Sequence, residues 1–208
     1  DHSTQHKISR FNHYSSQVPT DKDYEFLTGV SELQRDSQGL FKNYIMDIAS
    51  YWAAKALDVQ SGDAVLDMCA APGGKTLILA EALMEAGELI ANEVSASRRE
   101  RLIKVIQQYI PREKRERFFV TGRDGGKFAL THAKYFDRIL VDAPCSGERH
   151  LLQSPMDLKE WTPNRSAQLA QRQYALLTSA LMACKPGGRI LYSTCALSEL
   201  ENDVSIFC

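Results

Sequence analysis

The residues from Ala64 to Lys75, AVLDMCAAPGGK, decide the fold of the chain. Ala64 to Met68 form a short apolar run of the kind that a buried parallel strand requires. Two glycines follow in a run of small residues, and Lys75 begins the segment KTLILAEALMEA, which consists of strong helix formers and ends before Gly87. The pattern predicts a strand, a tight turn and a helix, which together form the opening unit of an α/β sheet.

The alternation continues on both sides of this unit. Apolar residues recur at helical spacing before it, and they predict an amphipathic helix at 40–57. Strands that alternate with helices predict a mostly parallel sheet and therefore the α/β class. The further strands are expected at 88–92, 118–121, 136–142 and 189–194, the helices at 75–86, 95–109 and 166–184, and a last element at 202–207.

The composition is that of a folded globular protein. The chain has 208 residues, of which 44% are hydrophobic and 25% charged, so disorder over the whole chain is excluded. The length fits one domain with an appendage: a polar N-terminal arm at 1–38 and a main domain at 39–208. No apolar run reaches about 18 residues, so no membrane helix is predicted. The net charge of -1 argues against bulk electrostatic coating of nucleic acid, but it leaves a local basic face open.

The cysteines and histidines predict neither a disulfide framework nor a metal site. The five cysteines are an odd number, and no two of them are spaced as CxxC. Free thiols indicate a reducing compartment, so we expect a cytoplasmic protein, with an organellar or nuclear location left open. The histidines of the arm, His2, His6 and His13, match no compact ligand set and are interpreted as part of a solvated segment.

Ligands of parallel sheets bind beyond the carboxyl ends of the strands, so the residues after each strand are the informative ones. The glycines after the first strand allow a ligand to approach the backbone, and the following helix offers free N–H groups. The dinucleotide fingerprint GxGxxG and the phosphate loop are both absent, which disfavours an NAD-dependent oxidoreductase. Glu93, about 20 residues past the glycines, is placed to hold ribose hydroxyls. Asp124 is placed either to accept from an adenine amino group or to form an Asx turn.

Two cysteines follow two further strands. Asp142-Ala143-Pro144-Cys145 comes after the predicted strand 136–142, and Cys195 comes after 189–194. Because the carboxyl ends of parallel strands share one edge of the sheet, we expect both thiols at the same site. Cys184, in the long predicted helix, is interpreted as a packing residue, which is the commoner role of a buried cysteine.

Three motifs in this order and spacing carry a resemblance to a known family. CAAPGGK, DAPCSG and KPGGxxxYSTC resemble the Sun-type (Nop/Sun, RsmB-like) RNA cytosine-C5 methyltransferases over roughly residues 39–207. The resemblance implies a Rossmann-like class I methyltransferase fold, with a mostly parallel sheet and helices on both faces. It implies S-adenosylmethionine as cofactor and a cytosine of rRNA or tRNA as substrate. Family members continue past this chain's end, so we expect the last strands to be missing.

The resemblance also implies a role for each matching residue. Glu93 would hold the ribose, Asp124 would contact the adenine, and Asp142 would lie between cofactor and base. Cys195 would be the nucleophile, and Cys145 would assist product release. The residues expected to line the cofactor are Cys69, Ala70, Ala71, Pro72, Gly73, Gly74 and Lys75.

The chemistry requires a thiolate. Carbon-5 of cytosine is too weak a nucleophile to take a methyl group directly, and addition of a thiolate to carbon-6 activates it. A nearby cation would lower the pKa of that thiol, and Lys75 is the candidate. DNA cytosine methyltransferases use the cysteine of a Pro-Cys pair, so Pro144-Cys145 remains an alternative nucleophile, although the resemblance favours Cys195.

The stretch Arg98–Arg117 holds eight basic and three acidic residues, a balance of +5, and either a solvated face or a phosphate-binding patch explains it. A target cytosine must be unstacked for a thiol to reach carbon-6. Arg149, His150 and Trp161 are candidates for stacking on it, and Trp161 is alternatively a core residue. Aromatic and apolar residues of the arm are candidates for RNA contact: Phe11, Tyr14, Tyr24, Phe26 and Leu27.

Two rival functions stay open on the sequence. One is methylation of DNA or of a small molecule; the pair Cys145 and Cys195 disfavours simple heteroatom methylation, which needs no nucleophile. The other is a non-catalytic RNA-binding subunit, which retention of both cysteines and of Asp142 disfavours.

Overall fold

A computed structural model of the chain describes residues 34–146 and 162–203, together with the backbone of two short strands at 7–9 and 25–27. The eight strands described are β1 Lys7–Ser9, β2 Glu25–Leu27, β3 Met46–Asp47, β4 Ala64–Asp67, β5 Glu88–Asn92, β6 Phe118–Thr121, β7 Phe136–Asp142 and β8 Cys184–Ser193. The α-helices described are α1 Ile48–Ala56, α2 Gly74–Ala82, α3 Ala96–Tyr109 and α4 Pro163–Ala183.

The main sheet is parallel and has the strand order β6-β5-β4-β7-β8. β4 is central, and the chain passes to one side of it with β5 and to the other side with β7. This reversal of direction creates a crevice beyond the carboxyl ends of β4 and β7, where ligands of doubly wound sheets bind. The α/β class and the strands at 88–92, 118–121 and 136–142 are confirmed.

Helices cover both faces of this sheet. One buried cluster joins α1, α2 and α3 to one face, and the other joins α4 and the 3₁₀ segment Gly125–Leu130 to the opposite face. α2 is apolar on nearly every side, and Thr76, Leu77, Ile78, Leu79 and Ala80 are all buried. A helix that is apolar all round belongs inside a protein, so α2 holds the turn before it firmly in place.

The predicted helix at 40–57 begins too early. The structure has a turn at 36–40, in which Asp36 Oδ1 accepts the backbone N–H groups of Gln38 and Leu40. Phe41 N then donates to Gln108 O at the end of α3, and the helix itself begins only at Ile48. The hydrogen bonds to Asp36 and to α3 satisfy the backbone in an extended path, which local helical periodicity does not reveal.

The last strand also differs from its prediction at the N-terminal end. β8 begins at Cys184 rather than at 189, because Phe136 pairs with Cys184 while Arg138 pairs with Arg189. The extra residues of β8 form a bulge at the edge of the sheet. Cys184 is buried against the second cluster, in agreement with its packing role.

A small antiparallel sheet of order β2-β1-β3 combines two strands of the predicted arm with β3, near the start of the main domain. β1, from the predicted polar arm, pairs with β3, which directly precedes α1. The division at residue 38 stays a prediction. Of the last predicted element, 202–207, the structure describes only Asn202 and Asp203, which follow the 3₁₀ segment Glu199–Glu201; 204–207 lie outside the described residues. None of the described helices is both long and apolar enough to cross a membrane.

Two glycines test the packing of the turns before β4 and β5. Both Gly62 and Gly87 have positive φ angles, +96° and +100°, but a Cβ on Gly62 would meet nothing within 4 Å. A Cβ on Gly87 would lie 2.5 Å from Asp63 O. We expect Gly62→Ala to lower the free energy of unfolding by about 1 kcal/mol, through backbone strain alone. Gly87→Ala should lower it by about 2–4 kcal/mol, since overpacking adds to the strain. Equal losses in urea denaturation would contradict this packing.

Candidate active site

The site lies at the carboxyl edge of the main sheet. Asp67 ends β4 and Asp142 ends β7, and Asp142 is in register with Ser193, the last residue of β8. Ala143 N extends this pairing by donating to Ser193 O at 2.9 Å. The loops that follow β7 and β8 therefore leave the sheet side by side, as the strand pattern predicts.

The structure brings the two predicted cysteines into contact. The Sγ atoms of Cys145 and Cys195 are 2.9 Å apart, and both residues are free thiols. A disulfide would need a separation of about 2.05 Å. Two thiols at this distance share one hydrogen bond, so the pair loses its first proton far more easily than its second.

The pKa of Cys195 is raised in this arrangement. Its causes are the hydrogen bond with Cys145, burial, and the charges of Cys145 and Asp142. The sequence predicts the opposite, a thiol whose pKa is lowered by Lys75. The structure differs because Lys75 has a carboxylate partner of its own.

Lys75 and Asp142 form an ion pair beside the thiols. Lys75 Nζ lies 2.8 Å from Asp142 Oδ2, with side chains 17% and 33% exposed, and it also donates to Ser50 Oγ at 3.2 Å. The ammonium group is thus held between the start of α2, the end of β7 and helix α1. The predicted residues Lys75 and Asp142 are brought together with Cys145 and Cys195 at one edge of the sheet.

The predicted glycine loop forms one wall of a cleft. Gly73 has a φ of +117° and precedes α2. A Cβ on Gly74 would lie 2.8 Å from the Tyr44 ring, so a larger residue does not fit there. Except for Gly73, all the predicted loop residues line the cleft: Cys69, Ala70, Ala71, Pro72, Gly74 and Lys75. The remaining lining residues are Tyr44, Ile45, Met46, Ser50, Asp67 and Asp142.

Asp67 is a site residue that the motifs of the sequence did not indicate. It is buried at the end of β4 and lines the cleft. Thr76 Oγ1 donates to its Oδ2 at 2.7 Å, while Oδ1 has no hydrogen-bond partner among the described residues. Burial is the main cause that raises the pKa of Asp67 to about 7, against the bond from Thr76. A carboxyl group at the end of an otherwise apolar strand was the signal that could have found it.

Glu93 follows β5, as predicted, and is almost wholly buried. Its Oε1 accepts the backbone N–H of Ser95 at 2.8 Å, and its Oε2 lies 3.5 Å from Arg98 Nη2. Arg98 also donates to Ala71 O at 2.8 Å, which connects Glu93 to the glycine loop. The predicted ribose-binding role stays a prediction.

Asp124 forms the Asx turn that was one of its two predicted roles. Its Oδ1 accepts Gly126 N at 3.1 Å, which is an Asx turn, and Arg172 Nη2 of α4 lies 2.9 Å away. The pairing leaves the predicted contact with an adenine untested. Arg172 is a second residue at this end of the site that the sequence did not indicate.

The basic stretch 98–117 is largely engaged within the protein. Arg115 Nε, for example, donates to Ile110 O at 2.7 Å just past the end of α3. Such contacts favour a structural role for these side chains over a phosphate-binding patch. Those that donate to backbone carbonyls are Arg98, Arg99, Lys114, Arg115 and Arg117. The candidate base-stacking residues Arg149, His150 and Trp161 lie outside the described residues, as do Phe11, Tyr14 and Tyr24. Phe26 and Leu27 are described only as backbone in β2.

The parallel sheet, the glycine loop and the cleft at the carboxyl edge define a Rossmann-like fold of the methyltransferase class. The family model for the 16S rRNA methyltransferase RsmB/F matches residues 54–207. The chain therefore belongs to the RsmB/F methyltransferase family, and the resemblance stated from its motifs is confirmed.

Curated relatives agree with this family. The 5-cytosine rRNA methyltransferase NSUN4 of Xenopus tropicalis is 43% identical over 172 residues, which cover 81% of this chain and 42% of that protein. A mitochondrial tRNA (cytosine(34)-C(5))-methyltransferase of Danio rerio is 42% identical and covers 76% and 43%. The ribosomal RNA small subunit methyltransferase F of Escherichia coli is 37% identical and covers 88% and 37%. The chain thus spans about two fifths of these relatives.

Solved structures agree on the fold. NSun6 from Pyrococcus horikoshii, determined with SFG, superposes with a TM-score of 0.72 at 31% identity, over 86% of this chain and 44% of that one. A SAM-dependent O-methyltransferase from Thermotoga maritima, 19% identical, superposes with a TM-score of 0.52 over 84% and 60%. The second similarity shows the fold alone.

The raised pKa of Asp67 predicts a pH dependence of stability. Between its ordinary pKa, near 4, and the value of about 7 in the fold, the native state binds the proton that the unfolded state has lost. Stability from this group is therefore full below about pH 4 and is lost as the pH rises to 7. Asp67→Asn removes that loss and keeps an acceptor for Thr76.

We therefore expect the Asp67→Asn variant to gain stability over the native chain as pH rises from 4 to 7, by up to about 4 kcal/mol. Urea denaturation at fixed pH values measures the difference. A stability difference that stays constant across this range would contradict the assigned pKa.

Proposed function

We propose that the chain is the catalytic region of an RNA cytosine-C5 methyltransferase. In this proposal a methyl group passes from S-adenosylmethionine to carbon-5 of an unstacked cytosine, through a covalent cysteine–base intermediate. The observation that carries it is the contact of Cys145 with Cys195, 2.9 Å apart at the carboxyl edge of β7 and β8. Methyl transfer to a heteroatom would need no such pair.

The two thiols suit the two halves of the reaction. One thiolate adds to carbon-6 of the base, which makes carbon-5 nucleophilic enough to attack a methyl group. After transfer, the carbon-5 proton leaves to a base, and the carbon–sulfur bond breaks to return the thiolate. A second thiol within hydrogen-bond reach of the first stabilises that thiolate as it departs. We assign attack to Cys195 and assistance in release to Cys145, with the reverse assignment as the alternative.

Asp142 and Lys75 are proposed to act on the base. The Asp142 carboxyl group lies at the end of β7, three residues before Cys145, and is a third exposed. We propose that it hydrogen-bonds the amino edge or ring nitrogen of a cytosine, which would help the ring to accept electron density. Lys75 orients that carboxylate through their 2.8 Å contact and supplies a positive charge beside it.

The cleft fits the cofactor that the family implies. Gly74 leaves no room for a side chain beneath Tyr44, and Asp67 offers a buried carboxyl oxygen that no described residue satisfies. S-adenosylmethionine supplies an electrophilic methyl group on sulfonium sulfur. We propose that the residues 69–75 with Asp67 hold it, while Glu93 and Asp124 bind its ribose and adenine as the family resemblance implies.

RNA is the proposed substrate class. The named relatives are rRNA and tRNA cytosine methyltransferases, and the chain spans only part of their length. Since a thiol reaches carbon-6 only when the base is out of its stack, we propose a loop or bulge of structured rRNA or tRNA. One relative is named as mitochondrial, so an organellar location stands beside the cytoplasmic one as a proposal.

Single cysteine variants test the proposed chemistry. RNA that carries 5-fluorocytosine traps the covalent intermediate, because fluorine cannot leave carbon-5 as the proton does. With a mixed rRNA and tRNA preparation and S-adenosylmethionine, we expect Cys195→Ser to form no adduct. Cys145→Ser should accumulate an adduct even on ordinary RNA. Denaturing gels and peptide mapping measure both. The reversed pattern would give the nucleophile role to Cys145, and no adduct in any variant would refute the covalent route.

A double-mutant cycle tests the ion pair. We expect Lys75→Met and Asp142→Asn each to lower kcat about 100-fold. The double variant should have a kcat no lower than that of the less active single variant, because the two groups act as a unit. Lys185→Met is the matched control, since Lys185 makes an ion pair of equal length, 2.8 Å, with Asp137 at the far end of β7. Additive losses would show that Lys75 and Asp142 act independently.

A further inference from the structure

A buried polar cluster surrounds the two cysteine loops. Gln173 of α4 and Glu201 of the 3₁₀ segment Glu199–Glu201 are both fully buried. Gln173 Nε2 donates to Glu201 Oε2 at 2.9 Å, and Tyr192 of β8 donates its hydroxyl to Glu201 O at the same distance. Gln173 and Glu201 both lie outside the three sequence motifs that carry the family resemblance.

The cluster holds the Cys145 loop on both sides of the cysteine. Gln173 Nε2 donates to Pro144 O at 2.9 Å, on the residue before Cys145. The backbone N–H of Ser146, the residue after it, donates to Glu201 Oε2 at 2.9 Å. The backbone at Cys145 is thereby fixed at both of its neighbours by side chains from two other elements.

The residue next to Glu201 holds the other loop. Asn202 Nδ2 donates to Ala196 O at 3.0 Å, on the residue after Cys195, and to Ser198 O at 3.1 Å. Glu201 and Asn202 are adjacent in the chain. A movement of this two-residue segment would therefore shift the Cys145 loop and the Cys195 loop relative to each other.

The cluster is not arranged for stability alone. Within the described part of the chain, three of its buried oxygens have no hydrogen-bond partner: Glu201 Oε1, Gln173 Oε1 and Ser146 Oγ. Each unsatisfied buried polar atom costs free energy, and an apolar core of the same volume would avoid the cost. Polar groups that cost free energy and lie around two reactive thiols indicate that the loops carrying those thiols must be held in fixed positions.

We propose that Glu201, with Gln173 and Asn202, is a positioning residue that sets the separation of the two thiols. The proposal rests on the proposed function, in which both thiols serve one base. Glu201 Oε2 accepts from two donors and is the junction of the cluster. Without that acceptor, the loop that carries Cys145 loses its hydrogen bond at Ser146. The Cys145 thiol is then held less closely to Cys195, so its effective concentration beside the Cys195 thiol falls.

Two measurements on the full chain test this role. The first is kcat and KM for methylation of a mixed rRNA and tRNA preparation. The second needs no RNA: diamide, a two-electron diazene oxidant, couples Cys145 to Cys195, and peptide mapping measures the rate. Glu201→Ala should lower kcat at least tenfold with KM within threefold, and should slow the coupling at least fivefold. Unchanged or faster coupling would overturn the proposal.

Two further variants separate position from folding. Glu201→Gln keeps an acceptor oxygen, so its methylation and its thiol coupling should both be within threefold of the native rates. If this variant is as impaired as Glu201→Ala, the acceptor role is wrong. Gln173→Met removes the donated bonds to Pro144 and Glu201 at nearly constant volume and should slow both rates fivefold, whether or not Glu201→Ala folds. Glu199→Ala, in the same 3₁₀ segment but exposed, is the control expected to match the native chain.

RNA methylation and thiol coupling distinguish failure of the proposed function from failure of the positioning role. If the native chain methylates no RNA but Glu201→Ala still slows the coupling, the proposed function is wrong and the positioning of the thiols stands. If methylation occurs at native rates in Glu201→Ala and Gln173→Met, the positioning role is wrong and the proposed function stands.

Discussion

The parallel pairing of β7 with β8 is the constraint on which the site depends. Asp142 is opposite Ser193, and the backbone bond from Ala143 N to Ser193 O continues that register past the strand ends. A strand rises about 3.3 Å per residue, so a slip of two residues would displace Cys145 along the strand by about 6.6 Å relative to Cys195. The contact of the thiols at 2.9 Å thus follows from the register and from the short loops after it.

Burial fixes this register. Ile139, Leu140 and Val141 are fully buried between the helices of the two faces, so a slip by one residue would exchange the contents of both cores. The bulge near Cys184 absorbs the extra residues of β8 at the far end of the strand, away from the site. Packing therefore determines the strands, and the polar cluster around Glu201 refines the loops beyond them.

Burial and nearby acidic groups raise the pKa of two thiols of the site, Cys69 and Cys195. Burial and the carboxylates of Asp67, Glu93 and Asp142 raise the pKa of Cys69 to about 12, and Asp142 contributes to the raised pKa of Cys195. Lys75 is held by Asp142 and does not reverse this effect. The proposed attack on carbon-6 therefore requires that the proton of Cys195 be removed against this raised pKa.

The sequence predicted the strands along the chain and the position of Cys145 and Cys195 at one edge of the sheet, because strand periodicity is local and parallel strands share an edge. It placed the start of α1 wrongly, since the bond from Phe41 to Gln108 joins segments far apart in the chain. Asp67, Gln173 and Glu201 were missed for the same reason. A polar residue in a strand, helix or turn looks ordinary until packing shows that it is buried.

Release of tritium from carbon-5 tests the central claim most directly. RNA labelled with [5-³H]cytidine is incubated with the native chain and S-adenosylmethionine, and tritium in water is counted against methyl groups incorporated. The covalent route to carbon-5 predicts one tritium released for each methyl transferred, and neither with Cys195→Ser. Methyl transfer without release of tritium would contradict it, because the methyl group would then lie on another atom.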